Sequence, residues 1–322
     1  MIASRATTVV WCLLISVWHA ALANTAAADV PVLNPQQVAP NVYLIQGQAG
    51  VASPENRGFN SNAGFVVTRD AVVVIDALGT PVLGEAMVSA IRKITAKPIR
   101  VVIVTHYHAD HFYGLQAFKK AGAEVWAHGA ARDYLDSGEG AARLLQRRAD
   151  LAPWVDEGTR LVPADVWLAD NRSLTVGGTR FDIIHLGPAH SPEDIIIVVG
   201  NSGVIFTGDI LFTGRIPFVG EADSKLWLQT FSRLLKLNPH IMVTGHGEPS
   251  RNPAADLALT RDYLSYLRQT MGKAVENFVA FDEAYAATDW HRFANIPAFD
   301  AANRINAYGT YLLMEKESLS KK

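Results

Sequence analysis

Read for its alternation of apolar and polar positions, the chain falls into short strand-like runs separated by helical stretches. Val42 to Gln46 predicts a first strand, followed by a Gly/Asn/Pro/Ser-rich loop from Gly47 to Asn62. Gly64 to Thr68 and Ala71 to Asp76 predict two more strands, with Arg69-Asp70 at the turn between them. Leu83, Met87 and Ile91 recur at helical spacing in Val82 to Ile94, after a Thr80-Pro81 start. Ile99 to Thr105 is β-branched and almost wholly apolar, the pattern of a buried strand. A helix opening at His111 to Lys120 and a strand at Glu124 to Ala127 follow, then a patchily polar helical stretch from Ala130 to Gly158.

Strand patterns return at Val166 to Leu168, Ser173 to Val176, Thr179 to Leu186, Ile195 to Val199 and Val204 to Phe206. Asn201-Ser202-Gly203 reads as the hairpin turn between the last two. Ser224 to Leu237 predicts an amphipathic helix, Ile241 to Thr244 a short strand, and Ala254 to Phe278 a long helix. A last helix carries Tyr311, Leu312 and Leu313. This rhythm predicts an α/β protein, and its recurrence in both halves suits two sheets back to back. With no repeat and no low-complexity linker, one mature domain with a helical C-terminal extension is expected.

Composition narrows the function classes. The net charge of −2 offers no basic excess to neutralise phosphates, so nucleic acid is not an expected partner. Arg5, the apolar run Val9 to Ala21 and the small-x-small Ala21-Leu22-Ala23 predict a cleaved signal peptide over residues 1–23. Cleavage is placed before Asn24, with Ala26 to Ala28 as a second option, leaving residues 24–322 as the exported, periplasmic or secreted domain. The apolar run is short for a membrane span, so no stable insertion is expected after cleavage. The single cysteine, Cys12, lies in that segment behind Trp11, which disfavours lipidation. The mature chain then has no thiol, and any metal is held by nitrogen and oxygen.

Such ligands are concentrated after the buried strand Ile99 to Thr105. His106, His108, Asp110 and His111 form H-x-H-x-D-H, in which residues two apart face one way on an extended backbone. Three further positions stand on glycine-bearing turns near predicted strand ends: His190 in GPAHSPED, Asp209 in VIFTGDILF and His246 in VTGHGEP. Their agreement points to one metal site built on a rigid scaffold.

These motifs resemble the metallo-β-lactamase superfamily over nearly all of the mature chain. The resemblance implies a four-layer αβ/βα sandwich with two metals at one edge between the sheets. It implies His106, His108 and His190 on the first metal, Asp110, His111 and His246 on the second, and Asp209 bridging them. Asp76, ending VVVID, matches an aspartate that supports the ligands from behind; a plain turn residue is the other reading. All-N/O ligation suits two Zn²⁺ ions per chain and hydrolysis by activated water, with Asp110 orienting it. No G-x-S-x-G nucleophile motif is present.

The expected substrate is a small molecule with an ester, thioester or lactam carbonyl. GPAHSPEDIIIV is similar to subclass B1 lactamases, which nevertheless have Arg at His111 and Cys at Asp209. Subclass B3 shares H-x-H-x-D-H without the Asp209 carboxylate. Asp209 and TGDILFTGRIPFVG are closer to glyoxalase II and general hydrolases, including periplasmic enzymes beside sulfur-oxidation and quinoprotein dehydrogenase systems. Phe212 stands where a quorum-quenching lactonase would have Tyr, and the short Asp209-to-His246 interval leaves no place for a nuclease insertion. Arg215 suits either a substrate carboxylate or a surface ion pair, and Gln46 to Phe59 either a flap or an ordinary loop. The alternatives are a mononuclear iron enzyme like the persulfide dioxygenases, and a non-catalytic metal-binding or docking protein.

Overall fold

The computed structural model describes residues 30–220 and 222–320. The expected signal peptide lies outside these described residues. The chain begins with β1 (Gln36–Ala39), β2 (Val42–Ile45), β3 (Ala63–Val67) and β4 (Val72–Ile75), then α1 (Pro81–Ile94) and β5 (Ile99–Ile103). Next come α2 (Ala109–Phe112), α3 (Leu115–Lys120), β6 (Glu124–His128), α4 (Ala131–Asp136), α5 (Glu139–Asp150) and β7 (Val166–Leu168). The second half has β8 (Arg172–Val176), β9 (Thr179–His185), β10 (Ile195–Val199), β11 (Val204–Phe212), α6 (Ser224–Leu235) and β12 (Ile241–His246). It closes with α7 (Pro253–Glu276), α8 (Phe281–Ala287) and α9 (Phe299–Leu319).

The strands make two sheets. One runs β1-β2-β3-β4-β5-β6-β7, antiparallel as far as β4 and parallel from there. The other runs β12-β11-β10-β9-β8, with only β11 and β12 parallel. Strand alternation divides their side chains between three cores. Val73 and Ile75 of β4 meet Phe181, Ile197 and Phe206 between the sheets. Val72 and Val74 face the other way, onto Met87 and Ile91 of α1 and Phe118 of α3. In the second sheet, Ile195 and Ile197 point inward, while Ile196 and Ile205 face Trp227 of α6 and Leu264 of α7. Period-two alternation in strands buried on both faces therefore yields the expected four layers, helix-sheet-sheet-helix.

The helices start where local chemistry permits. Thr80 Oγ1 accepts from Leu83 N and Pro81 occupies the first turn of α1, where its missing N–H costs nothing. Asp223 caps α6 by accepting from Lys225 N and Leu226 N, and Trp227, Phe231 and Leu234 form its buried stripe. The C-terminal helices share this core: Leu264, Leu267 and Met271 of α7 and Ala302 and Ala307 of α9 pack with Ile210 and Trp227. Among the described residues, no helix is long and apolar enough to cross a membrane.

Several boundaries differ from the pattern-based expectation. The helix expected at His111 to Lys120 is two pieces, because Gly114 sits against Ala77, where a Cβ would come within 1.9 Å of the Ala77 oxygen. The strand expected to stop at Phe206 continues to Phe212, with an irregular register around Gly208. Likewise β12 runs on through His246, so Asp209 and His246 lie in strands and not on the loops expected for them.

Candidate metal centre

The ends of the two sheets meet at one edge, and there the seven candidate ligands converge. His106 and His108 follow β5, while Asp110 and His111 belong to the short helix α2. His190 lies between β9 and β10, Asp209 within β11 and His246 at the end of β12. Three groups hold ligand atoms within 4.8 Å of one another: His106, His108 and His190; His106, His111 and Asp209; and Asp110, His111 and His246.

Hydrogen bonds behind the rings determine which nitrogen faces inward. His246 Nδ1 is 2.7 Å from the Asn60 carbonyl and His190 Nδ1 is 2.8 Å from the Phe218 carbonyl. A carbonyl only accepts, so both Nδ1 atoms carry the proton and both Nε2 atoms present lone pairs to the site. His111 Nδ1 donates to Asp76 Oδ2 at 2.9 Å. Thr105 Oγ1 donates to the same Asp76 oxygen at 2.9 Å, leaving its lone pair to accept from His106 Nδ1 at 3.1 Å. Asp76 thus orients two rings, one directly and one through Thr105. It sits just past β4 with φ +60°, a conformation aspartate tolerates better than most residues, and Thr105 N donates to its Oδ1 at 2.7 Å.

The four Nε2 lone pairs surround Asp209. Its carboxylate is 3.2 Å from His111, 3.3 Å from His246, 3.4 Å from His190 and 3.8 Å from His106. Asp110 Oδ2 is 3.3 Å from His246 Nε2 and accepts from Asn60 Nδ2 at 3.0 Å. Acceptors facing acceptors in a buried site are unfavourable unless a cation lies between them. His106 Nε2, His111 Nε2 and Asp209 Oδ1 are all buried without a hydrogen-bond partner. Two ligands on a tetrahedral ion with bonds of about 2.0–2.1 Å stand roughly 3.3 Å apart, matching most of these separations. The donor set fits zinc. His108 Nδ1 and His190 Nε2, at 2.7 Å, are closer than this spacing.

Protonation equilibria agree for His106, His108 and His190 but not for His111. Burial pulls His106 well below the usual imidazole range, lowers His108, and brings His190 down to about 3. Burial opposes charge on His111 too, but the Asp209 and Asp76 carboxylates on either side raise it well above that range. Burial would raise Asp110; His111 and His246 outweigh it and hold the carboxyl at about 2.

Glycines leave the space. Gly208 adopts φ +51°, and a Cβ there would lie 2.7 Å from Thr105 Oγ1. At Gly245 a Cβ would fall 1.9 Å from Asp209 Oδ1. Gly245→Ala should displace that carboxylate, destabilise the fold by about 1–3 kcal/mol through overpacking and lower metal content. Urea unfolding and elemental analysis would measure both, and an unchanged metal content would count against Asp209 as a ligand.

Partners distant in sequence complete the shell, and the motifs did not reveal them. Asn60 and Ser61 hold the Asp110 side chain and backbone, and Asn62 Nδ2 donates to the carbonyls of Thr244 and Gly247. Arg215 is neither a surface ion pair nor free. It is buried and donates to the Gly50 carbonyl, tying the Gly47-to-Asn62 loop over the site. Its Nη1 is also 3.2 Å from His246 Nδ1, but both are donors there. From α9, the buried Asn306 donates to Pro217 O at 2.7 Å and accepts from Val219 N at 2.8 Å. Asn306 therefore brackets Phe218, whose carbonyl orients His190. Asn306→Ala should cost about 1–3 kcal/mol by stranding these buried groups. Chelator competition should also show weaker metal retention; unaltered retention would separate α9 from the metal centre.

The fold and the convergence of these residues agree with comparison to known proteins. The family model of the metallo-beta-lactamase superfamily matches residues 56–246. This chain belongs to the metallo-beta-lactamase superfamily. It is 23% identical to a linear primary-alkylsulfatase of Pseudomonas sp. over 234 residues, covering 62% of this chain and 44% of that enzyme. It is also 23% identical to the metallo-beta-lactamase type 2 of Elizabethkingia meningoseptica over 243 residues, covering 74% of this chain and 88% of that one. The chain thus spans less than half the length of this alkylsulfatase.

Among solved structures, the inverting sec-alkylsulfatase Pisa1 from Pseudomonas sp. superposes with TM-score 0.66 at 18% identity, over 87% of this chain and 50% of its own. The metallo-beta-lactamase from Pontibacter korlensis gives 0.55 at 19%, over 72% of this chain and 99% of its own. These likenesses establish the superfamily fold. The alkylsulfatase share is too large to exclude the C-terminal helices.

Proposed function

We propose that this chain is an exported dinuclear zinc hydrolase acting on a small ester, thioester or lactam. The observation that carries the reading is the ring of imidazole lone pairs around Asp209, with Asp110 beside it. His106, His108 and His190 would hold one ion, Asp110, His111 and His246 the other, and Asp209 would bridge them. When bound, zinc supplies positive charge that lowers the pKa of water and polarises the bond to be cleaved.

The chain's own residues do the rest. Asp110 stays ionised across the physiological range and keeps one oxygen bound to Asn60 Nδ2. Its side chain is 18% exposed, the most open of the acidic ligands, so it can receive a proton from an attacking water. Asp209 is enclosed and touches four imidazoles, a structural position. The Gly47-to-Asn62 loop, held by Arg215 at Gly50, contributes Val51, Ala52 and Asn60 to the cavity lining.

The names of its relatives extend the substrate range to sulfuric esters and β-lactams, and the alkylsulfatase likeness reaches the C-terminal helices. A single-iron oxygenase is less well supported, because the donors form three overlapping groups. Export rests on the N-terminal sequence pattern. The test is elemental analysis of the purified mature protein, combined with hydrolysis of a chromogenic lactam, a thioester and aryl and alkyl esters. About two zinc ions and turnover of at least one substrate are expected. One iron and no hydrolysis would overturn the reading.

A further inference from the structure

His108, Asp110, His190, Asp209 and His246 line a cavity of ≈ 430 Å³. Its lining also includes Tyr134 of α4 and Arg143 and Arg147 of α5. Phe218 and, from α9, Ala301, Ala302 and Ile305 add apolar surface. No metal ligand explains the two arginines. They lie four apart, on one face of α5, so both guanidinium groups reach the same side. Arg143 has no carboxylate within 4 Å among the described residues, and Arg147 has only a loose 3.9 Å approach to the half-exposed Asp150. Tyr134 Oη is buried without a hydrogen-bond partner, and its ring is 6.4 Å from that of His108. Two cations on the wall of a cavity, beside a lining tyrosine whose hydroxyl is unpartnered, are the parts of an oxyanion subsite.

We propose that Arg143, Arg147 and Tyr134 bind the negatively charged group of an amphiphilic substrate whose hydrocarbon part lies along α9. The occupant is a single oxyanion, carboxylate or sulfate, on an aliphatic or aryl body. This defines the substrate class of the hydrolase proposed above and rests on that reading for turnover, though not for binding. The arginines favour it by setting positive charge where an anion enters, against the single lining carboxylate that is not a candidate ligand, Asp150. Ile305, 54% exposed on α9, gives the cavity part of this apolar surface.

Titration calorimetry of the zinc-loaded protein with octanesulfonate and with octanoate tests binding without chemistry. Arg143→Gln and Arg147→Gln should each weaken octanesulfonate by about tenfold, the loss of one charge-assisted hydrogen bond. Arg100→Gln, a surface change on β5, should leave it unaltered. Ile305→Asp should weaken octanesulfonate but leave ethanesulfonate unchanged, which separates the tail from the head group. Preference between octanoate and octanesulfonate identifies the oxyanion. Equal affinity of wild type and both arginine variants would overturn the subsite while ester hydrolysis by the wild type kept the hydrolase reading intact. Binding lost in the variants of a protein that hydrolyses nothing would do the reverse.

Discussion

Asp209→Ala should abolish hydrolysis, lowering kcat/KM by more than about 10³-fold, beyond the cost of removing one transition-state donor. It should also leave the protein with fewer than one tightly held zinc. The carboxylate lies within 3.2–3.8 Å of four imidazole nitrogens, and no other anion is in contact with all of them. Without it, the histidine cage keeps neutral donors but loses the charge that offsets a dication. Linkage gives a second readout. An ion that binds only the folded state at a thousand times its Kd stabilises that state by about 4 kcal/mol. Zinc should therefore raise the melting temperature of the wild type by several degrees and that of Asp209→Ala hardly at all. An Asp209→Ala protein that keeps two tightly bound ions would refute the bridging role.

Much of the fold was legible because the hydrophobic pattern is simple. Val72 to Ile75 is apolar at every position, which is what a strand between a helix layer and a second sheet requires. What escaped were elements with little apolar signal. β1 contains Gln36-Gln37 and is held by its pairing with β2 more than by burial, and α8 is a short helix with a single buried residue, Ala284. The early stop expected for β11 came from reading Gly208-Asp209 as a turn. In the structure, β12 pairs alongside and lets a carboxylate sit inside the strand.

The ligand candidates were readable from their spacing and neighbouring glycines, whereas their supports were not. Asn60 meets His246 from 186 residues away, and Asn306 reaches Val219 across 87. No local periodicity marks such residues: an asparagine in a loop and one in a helix have the same appearance before folding. Arg143 and Arg147 likewise read as the polar face of an ordinary amphipathic helix. Only the placement of α5 against the metal floor gives them a target.

Asp76→Asn should separate the support of the ligands from the ligands themselves. Asp76 accepts from Thr105 N, Thr105 Oγ1 and His111 Nδ1, and an amide can accept on only one of its two sides. Whichever way the asparagine turns, an NH₂ group faces a donor. If that donor is His111, its ring is driven towards the other tautomer, with the proton on the nitrogen aimed at Asp209. Zinc affinity should fall by about 10–100-fold, as for other supports of metal-bound imidazoles. Stability should fall by about 1–3 kcal/mol for the unmatched buried groups. Asparagine accepts a positive φ about as well as aspartate, so backbone strain does not confuse the result.

Thr105→Val provides the internal control, because it removes only the relay from Asp76 to His106 and leaves His111 in place. Its effect on zinc affinity should be the smaller of the two, and imidazole ¹⁵N shifts should show a changed tautomer at His106 alone. If Asp76→Asn binds zinc as tightly as wild type, Asp76 is the turn residue that its position at the end of VVVID equally allows.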